Sequence, residues 1–339
     1  MPAIPLSVLD LAVVPEGSTS TEALRATTTL AARADQLGYL RFWVAEHHNM
    51  ATVASTEPAV LIAHLAANTE RIRLGSGGVM LPNHAPLVVA EQFAMLEALH
   101  PDRIDLGIGR APGTDRNTMR ALRRNLDVDD VDRFPQDVLD VMALLGDVRT
   151  ETGPHTHLRA TPVATTSPAI ALLGSSGYSA QLAGMLGLPF GFAHHFDMGG
   201  TIEAAEIYRN HFTPSPVLSE PHLIVTAAVI AAESAERADH LLAPHRLRKY
   251  GMRTGRMLPL LSPEDACAHP EYDAALAAGS NAIHGEPAHV AAGIAELARR
   301  TEASEIMVAI PATDPADRVT SLDLLAAAWR FRPAEPAPS

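Results

Sequence analysis

Eight short apolar runs alternate with longer amphipathic segments along this chain, and that alternation most restricts what it can fold into. The runs are Ile4–Asp10, Leu40–Ala45, Ile72–Val79, Ile104–Gly109, Ala169–Gly174, Pro189–His194, His222–Ile230 and Glu305–Ile310. Helical spacing of apolar residues marks the segments Thr21–Leu37, Pro58–Asn68, Pro86–Leu99, Arg133–Leu145, Ser176–Leu186, Ile202–His211, Glu233–Tyr250, Pro287–Thr301 and Pro315–Arg330. Pro58, Pro86, Pro287 and Pro315 sit where a first helical turn tolerates proline. Such even alternation predicts an α/β fold of the (β/α)8 TIM-barrel type rather than an open doubly wound sheet.

With 339 residues, one barrel domain over residues 1–330 is expected. Residues 331–339, rich in proline and alanine, read as a disordered tail. Three intervals fall outside the repeat: Ala111–Asp132, Asp147–Ser167 and Gly251–Gly285. Long insertions in a barrel usually border the active-site mouth as lids, so these are expected there.

The charge balance is 26 − 39 = −13, which disfavours nucleic acid or an anionic membrane as partner. No apolar run reaches the ~18 residues of a membrane span. The N-terminus lacks a basic targeting start. A single cysteine, Cys267, excludes an intrachain disulfide and any cysteine-rich metal site, and fits a cytoplasmic location.

The chemistry-bearing residues cluster at strand ends. Arg71-Ile-Arg-Leu-Gly-Ser-Gly-Gly-Val79 is a strand that breaks into Gly77 and Gly78, and the next strand ends on Arg110. Glycine lets a backbone pass close to a flat ligand, and an arginine at a strand end can hold a phosphate. Gly174-Ser-Ser-Gly-Tyr-Ser179 opens a helix, so free N–H groups with the hydroxyls of Ser175, Ser176 and Ser179 could cradle that phosphate. An ordinary serine N-cap is the competing reading. Trp43-Val-Ala-Glu-His-His48 ends the second strand and offers Glu46, His47 and His48 to the mouth. The plainer reading packs one histidine under a loop and pairs Glu46 with an arginine. His194 and His195 close the sixth strand, and with His47 and His48 they raise a metal centre as a weaker possibility.

Taken in order, these segments resemble the bacterial luciferase-like flavin monooxygenase family over nearly the whole chain. The resemblance implies that His47 serves catalysis, that a non-prolyl cis peptide under the flavin falls at Gly77–Gly78, and that Arg110, Ser175, Ser176 and Ser179 bind the FMN phosphate. Luciferases proper carry a cysteine where Gly109 stands and an acidic residue where Ser175 stands, so the likeness is to the family rather than to its light-emitting members. The general barrel rule places phosphate after strands seven and eight; the resemblance places it between strands four and five. By the same resemblance, reduced FMN comes from a separate flavin reductase and reacts with O2 through a flavin peroxide to oxygenate a small organic substrate. A homodimer is implied likewise.

No Gly-x-Gly-x-x-Gly fingerprint for a resident nicotinamide is evident. The rival readings are a deazaflavin-dependent hydride-transfer oxidoreductase on the same fold and a flavin-binding protein without turnover. Adjacent glycines at 77 and 78 would leave no Cβ against the flavin face, so Gly78→Val is expected to block flavin binding while the barrel still folds.

Overall fold

In the computed structural model the described residues are 4–111, 113–122, 133–150, 157–196, 198–256 and 258–329. Eight strands close into a parallel ring: β1 (Leu6–Asp10), β2 (Arg41–Val44), β3 (Arg73–Met80), β4 (Ile104–Gly109), β5 (Ala169–Gly174), β6 (Phe190–Phe192), β7 (Leu223–Ala231) and β9 (Glu305–Ala309), with β9 returning to β1. The helices are α1 (Ser20–Leu37), α2 (Pro58–Ala66), α3 (Pro86–Leu99), α4 (Arg116–Leu122), α5 (Phe134–Leu144), α6 (Gly177–Met185), α7 (Thr201–His211), α8 (Ala235–Arg253), α9 (Pro263–Ala268), α10 (Tyr272–Ala277), α11 (Pro287–Thr301) and α12 (Pro315–Trp329). The expected (β/α)8 barrel is present. The tail 331–339 lies outside the described residues.

Local sequence sets these elements. Strand β7, Leu-Ile-Val-Thr-Ala-Ala-Val-Ile-Ala, is buried at every position, as a barrel strand covered on both faces must be. Helix α1 starts at a capping box in which Thr19 and Glu22 each bond the other's backbone N–H, and it stops at Gly38 with φ 87°.

The barrel interior is layered. At its base Arg41 binds both Glu305 (2.8 Å) and Asp105 (2.9 Å), while Arg73 binds Asp105 at 2.7 Å. These buried carboxylates are paired, which removes most of the cost of placing charge in a core. Above them lies an apolar layer of Leu9, Trp43, Ala171, Ile224 and Met307, and the Trp43 indole N–H reaches down to Asp105 at 2.9 Å. Gly75 makes room for that indole, because a Cβ there would stand 2.6 Å from its nitrogen.

Three sequence expectations need correction. Asp147–Ser167, where described, does not border the mouth: Ala160 packs with Ala90, Ala94 and Leu144, and the Thr166 hydroxyl donates to Glu97. That interval joins a helix to the following strand, so it belongs to the opposite end of the barrel. Helix α8 is not the seventh barrel helix. It packs with α9, α10 and the short strand β8 (Ile283–Gly285), whereas α11 fills the barrel position against β7, β9 and α12. The mouth insertion therefore starts at α8, not at Gly251. Strand β8 was absent from the sequence reading; it adds only to the end of β7, pairing Ile283 with Val229, and is too short to show a period.

Ala111–Asp132, where described, does border the mouth. Thr114 donates to the His48 carbonyl at 2.9 Å, and Asn49 donates to the Thr118 hydroxyl at 3.1 Å. From the far side Glu16 N–H reaches the Leu260 carbonyl at 2.8 Å, drawing the α8–β8 insertion over the loop after β1.

Candidate active site

The C-terminal strand ends surround a cavity of about 1050 Å³, counting its open mouth. Leu9, Trp43, Leu173 and Met307 give it an apolar floor, while polar groups gather at the edges. A flat aromatic ligand suits such a lining. The seven residues to which the resemblance gave a catalytic or flavin-binding role (His47, Gly77, Gly78, Arg110, Ser175, Ser176 and Ser179) lie on this one cavity, whereas Glu46, His48 and His194 do not line it.

One edge is built for an anion. Strand β5 ends at Gly174, and Ser176 caps α6 with an extended backbone (φ −147°, ψ 169°), yet its hydroxyl makes no capping bond. The ordinary N-cap reading would place that hydroxyl on the helix's own N–H groups. Instead the helix start and three serines face the cavity. Gly174 permits this, since a Cβ there would lie 2.7 Å from Ser179 Oγ. Arg110 completes the edge, its guanidinium carbon 4.1 Å from the centre of the Tyr178 ring and without an ion pair among the described residues. An unpaired guanidinium beside a helix N-terminus and free hydroxyls fits a phosphate monoester.

At the exit of β2, consecutive residues part company. Glu46 turns inward and is fully buried. Its Oε1 meets His48 Nε2 and His84 Nε2, both at 2.8 Å, and its Oε2 accepts the Met80 N–H at 2.9 Å. Burial works against this charge, but the bonds from His84, His48 and Met80 outweigh it and hold the carboxyl below its usual range. Glu46 thus pairs with histidines, not with the arginine of the plainer reading. Among the described residues Glu46, His48 and His84 are also the acid and histidines whose donor atoms converge, within 4.8 Å. Both carboxylate oxygens already accept hydrogen bonds, so the cluster is complete as a brace between β2 and the turn after β3.

His47 points the other way. Its backbone N–H is fixed by the Ser55 carbonyl at 3.0 Å, and its ring lines the cavity with Nδ1 buried and unpartnered. Burial, helped by the nearby Arg248 charge, lowers its pKa, so the ring is neutral near pH 7 and can accept or donate a proton. His195 shares the cavity wall, and burial followed by Lys249 pushes its pKa down to about 3. His194 instead bonds Thr201 at 2.8 Å and Asn281. The four histidines of the two pairs therefore do not converge on a metal.

The Gly77–Gly78 peptide is cis, as the resemblance implied. The reason expected for these glycines is only part of the matter. A Cβ on Gly78 would stand 2.7 Å from both the Gly107 carbonyl oxygen and Leu173 Cδ1, and one on Gly77 2.6 Å from Leu9 Cδ1. Neighbouring strands and core side chains, not a ligand face, exclude side chains here first. The expectation that Gly78→Val spares the barrel is thus corrected.

Sequence reasoning missed His84, which braces Glu46 from the turn after β3, because nothing about its spacing marks it. It also missed the cationic face of α8, which was legible as His245, Arg248 and Lys249 at helical spacing.

The model of the luciferase-like monooxygenase family matches residues 4–304. The chain belongs to this family. As a luciferase-like monooxygenase it is an oxidoreductase. It is 44% identical to a luciferase-like monooxygenase of Escherichia coli K12 over 325 residues, 95% of this chain and 96% of that protein. The crystal structure of apo-MsnO8 superimposes with a TM-score of 0.89 at 38% identity, covering 98% of this chain and 99% of that one. At lower identity the fold alone is shared. The oxygenating constituent of 3,6-diketocamphane monooxygenase from Pseudomonas putida, in complex with FMN, has a TM-score of 0.69 at 18% identity, covering 96% and 97% of the two chains. An F420-dependent secondary alcohol dehydrogenase has 0.67 at 15%, covering 97% and 99%. Among the described residues no helix is long and apolar enough to cross a membrane.

Proposed function

We propose that this luciferase-like monooxygenase uses reduced FMN, supplied by a separate flavin reductase, and O2 to oxygenate a small organic substrate. The observation that carries this reading is the pairing of two features on one cavity: an unpaired Arg110 beside the uncapped start of α6, and a neutral, unpartnered His47. Arg110, Ser175, Ser176 and Ser179 would hold the FMN phosphate, and Gly77–Gly78 would support the ring system. The bound flavin supplies the electrons and activates O2. The chain does the rest. Leu9, Trp43, Leu173 and Met307 exclude water beneath the ring, and His47, whose ring lines the cavity, moves a proton to or from the reacting centre. Its position is held by Ser55, while Glu46, braced by His48 and His84, fixes the turn it leaves from.

Two attendant proposals go with this. The protein acts in the cytoplasm, where a reductase can deliver the flavin. It works as a homodimer through α2 and α3, whose outer faces expose Val60 (68%), Met95 (53%) and Leu99 (64%).

The test is turnover with NADH, FMN, a general flavin reductase and ¹⁸O2 over a mixed panel of small organic compounds. The expected result is a product carrying one labelled oxygen, formed only with reductase present. Substrate turnover with reduced F420 and no use of O2 would support the deazaflavin reading instead.

A further inference from the structure

The flavin placement draws on the ends of β3, β4 and β5 and leaves the exit of β6 without a task. Strands β2 and β6 stand four places apart in the closed ring of eight, so their ends face each other across the mouth. His47 lines the cavity from the β2 side, and His195 and Phe196 line it from the β6 side. After β6 the chain makes one helical turn, His194–Phe196, and that turn is tied at each residue. Asn281 donates to the His194 carbonyl at 2.7 Å, Lys249 Nζ donates to the His195 carbonyl at 3.2 Å, and the Phe196 N–H returns to the Ala193 carbonyl at 3.2 Å. The turn is thereby fixed to the insertion over the mouth.

Phe196 ends that turn and lines the cavity, yet 46% of its surface is bare. Its ring rests against His195, with centroids 4.4 Å apart and planes at 50°. An aromatic side chain on a fixed turn loses little freedom when a ligand covers it, so the contact is preorganised. The space beside it is uncharged. Among the described residues that line the cavity, Arg110 is the one side chain that is always charged, and it stands at the phosphate edge. Burial first and Lys249 next push the pKa of His195 down to about 3, and burial lowers that of His47, so both rings are neutral near pH 7. Leu11, Ala45, Ala193 and Met307 add apolar or small surface. A charged group placed there gives up its water and meets no counter-ion, whereas an apolar skeleton gains by leaving water.

We propose, on the oxygenase reading above, that the substrate is a neutral, apolar molecule and that Phe196 determines this specificity by packing on its carbon skeleton. The substrate lies between the ends of β2 and β6, with Phe196 on one side and His47 on the other. Phe196 takes no part in the chemistry. It covers the substrate from the mouth side, while His195, held neutral, supplies the surface on which the phenyl ring rests.

The experiment is anaerobic calorimetric titration, with reduced FMN present, of the straight-chain alcohols from butanol to decanol and the phenylalkanols from phenylmethanol to phenylbutanol. Each alcohol is compared with the carboxylate and the ammonium ion of the same skeleton. At least one alcohol is expected to bind roughly tenfold or more tightly than both of its ions, since neither ion finds a partner. Phe196→Ala should weaken that alcohol roughly three- to tenfold, the effect of covering about half a phenylalanine side chain. Phe196→Leu should keep most of the affinity, and both variants should bind reduced FMN as wild type does. Binding of an ion as tight as its alcohol, binding of none of the compounds, or an unchanged affinity in Phe196→Ala would overturn the proposal. So would an equal loss of reduced-FMN affinity in Phe196→Ala, which would place the phenyl ring against the flavin. If the preference for the alcohol follows Phe196 but wild-type protein does not bind reduced FMN, the apolar subsite stands and the flavin reading falls.

Discussion

Arg110 lies over Tyr178, its guanidinium carbon 4.1 Å from the ring centre, and no acid among the described residues neutralises it. A stacked arginine is held in place without its hydrogen-bond donors being consumed. Its N–H groups stay free for a ligand on the same wall as Ser175, Ser176 and Ser179.

Arg110→Ala should therefore weaken FMN much more than riboflavin. A charge-assisted hydrogen bond contributes about 1.5–3 kcal/mol, or roughly ten- to over a hundredfold in affinity. Fluorescence titration with both flavins measures this. Equal losses for the two would remove Arg110 from the phosphate.

His47→Ala should leave reduced-FMN affinity near normal and lower the oxygenation rate by on the order of 10²–10⁴-fold. Because burial, then Arg248, depresses the pKa of His47 below its usual 6.5, the neutral ring persists into mildly acidic solution. The acid limb of the wild-type rate profile should accordingly lie below pH 6.5, and it should vanish in the alanine variant. An unchanged rate at saturating substrate would exclude the proton-transfer role.

Gly78→Val should destabilise the apoprotein. The added Cβ meets backbone of β4 and the Leu173 side chain at 2.7 Å, and such overpacking costs typically 1–3 kcal/mol. Thermal unfolding without any flavin is the relevant measurement. A melting temperature equal to that of wild type would show that the neighbouring strands tolerate the side chain.

The barrel itself was legible because its determinants are periodic: buried strands such as β7 and proline-started helices such as α3 announce themselves locally. The strand-end residues were legible for the same reason, since barrel topology sends every strand end to one mouth. What escaped depends on contacts distant in sequence. Nothing local tells Glu46 to choose His84, thirty-eight residues on, over an arginine. Helix α8 has the period of a barrel helix, and only its packing against β8 and α10 shows that it belongs to the mouth. The unused hydroxyl of Ser176 is likewise invisible in a sequence that reads as an ordinary cap.

Dimerisation through α2 and α3 predicts that wild-type protein sediments at twice its chain mass at micromolar concentration. Met95→Glu and Leu99→Glu, which place charge on the exposed stripe of α3, should shift it to monomer without changing the circular dichroism spectrum. A dimer unaffected by both substitutions would place the interface elsewhere.

The most direct measurement is anaerobic ultrafiltration of the protein with reduced FMN, in parallel with reduced F420 and reduced riboflavin. FMN as cofactor predicts that reduced FMN is retained in a one-to-one ratio with the chain, more tightly than riboflavin, and that Arg110→Ala removes the preference. Retention of F420 in place of reduced FMN, or no preference for the phosphorylated flavin, would contradict it.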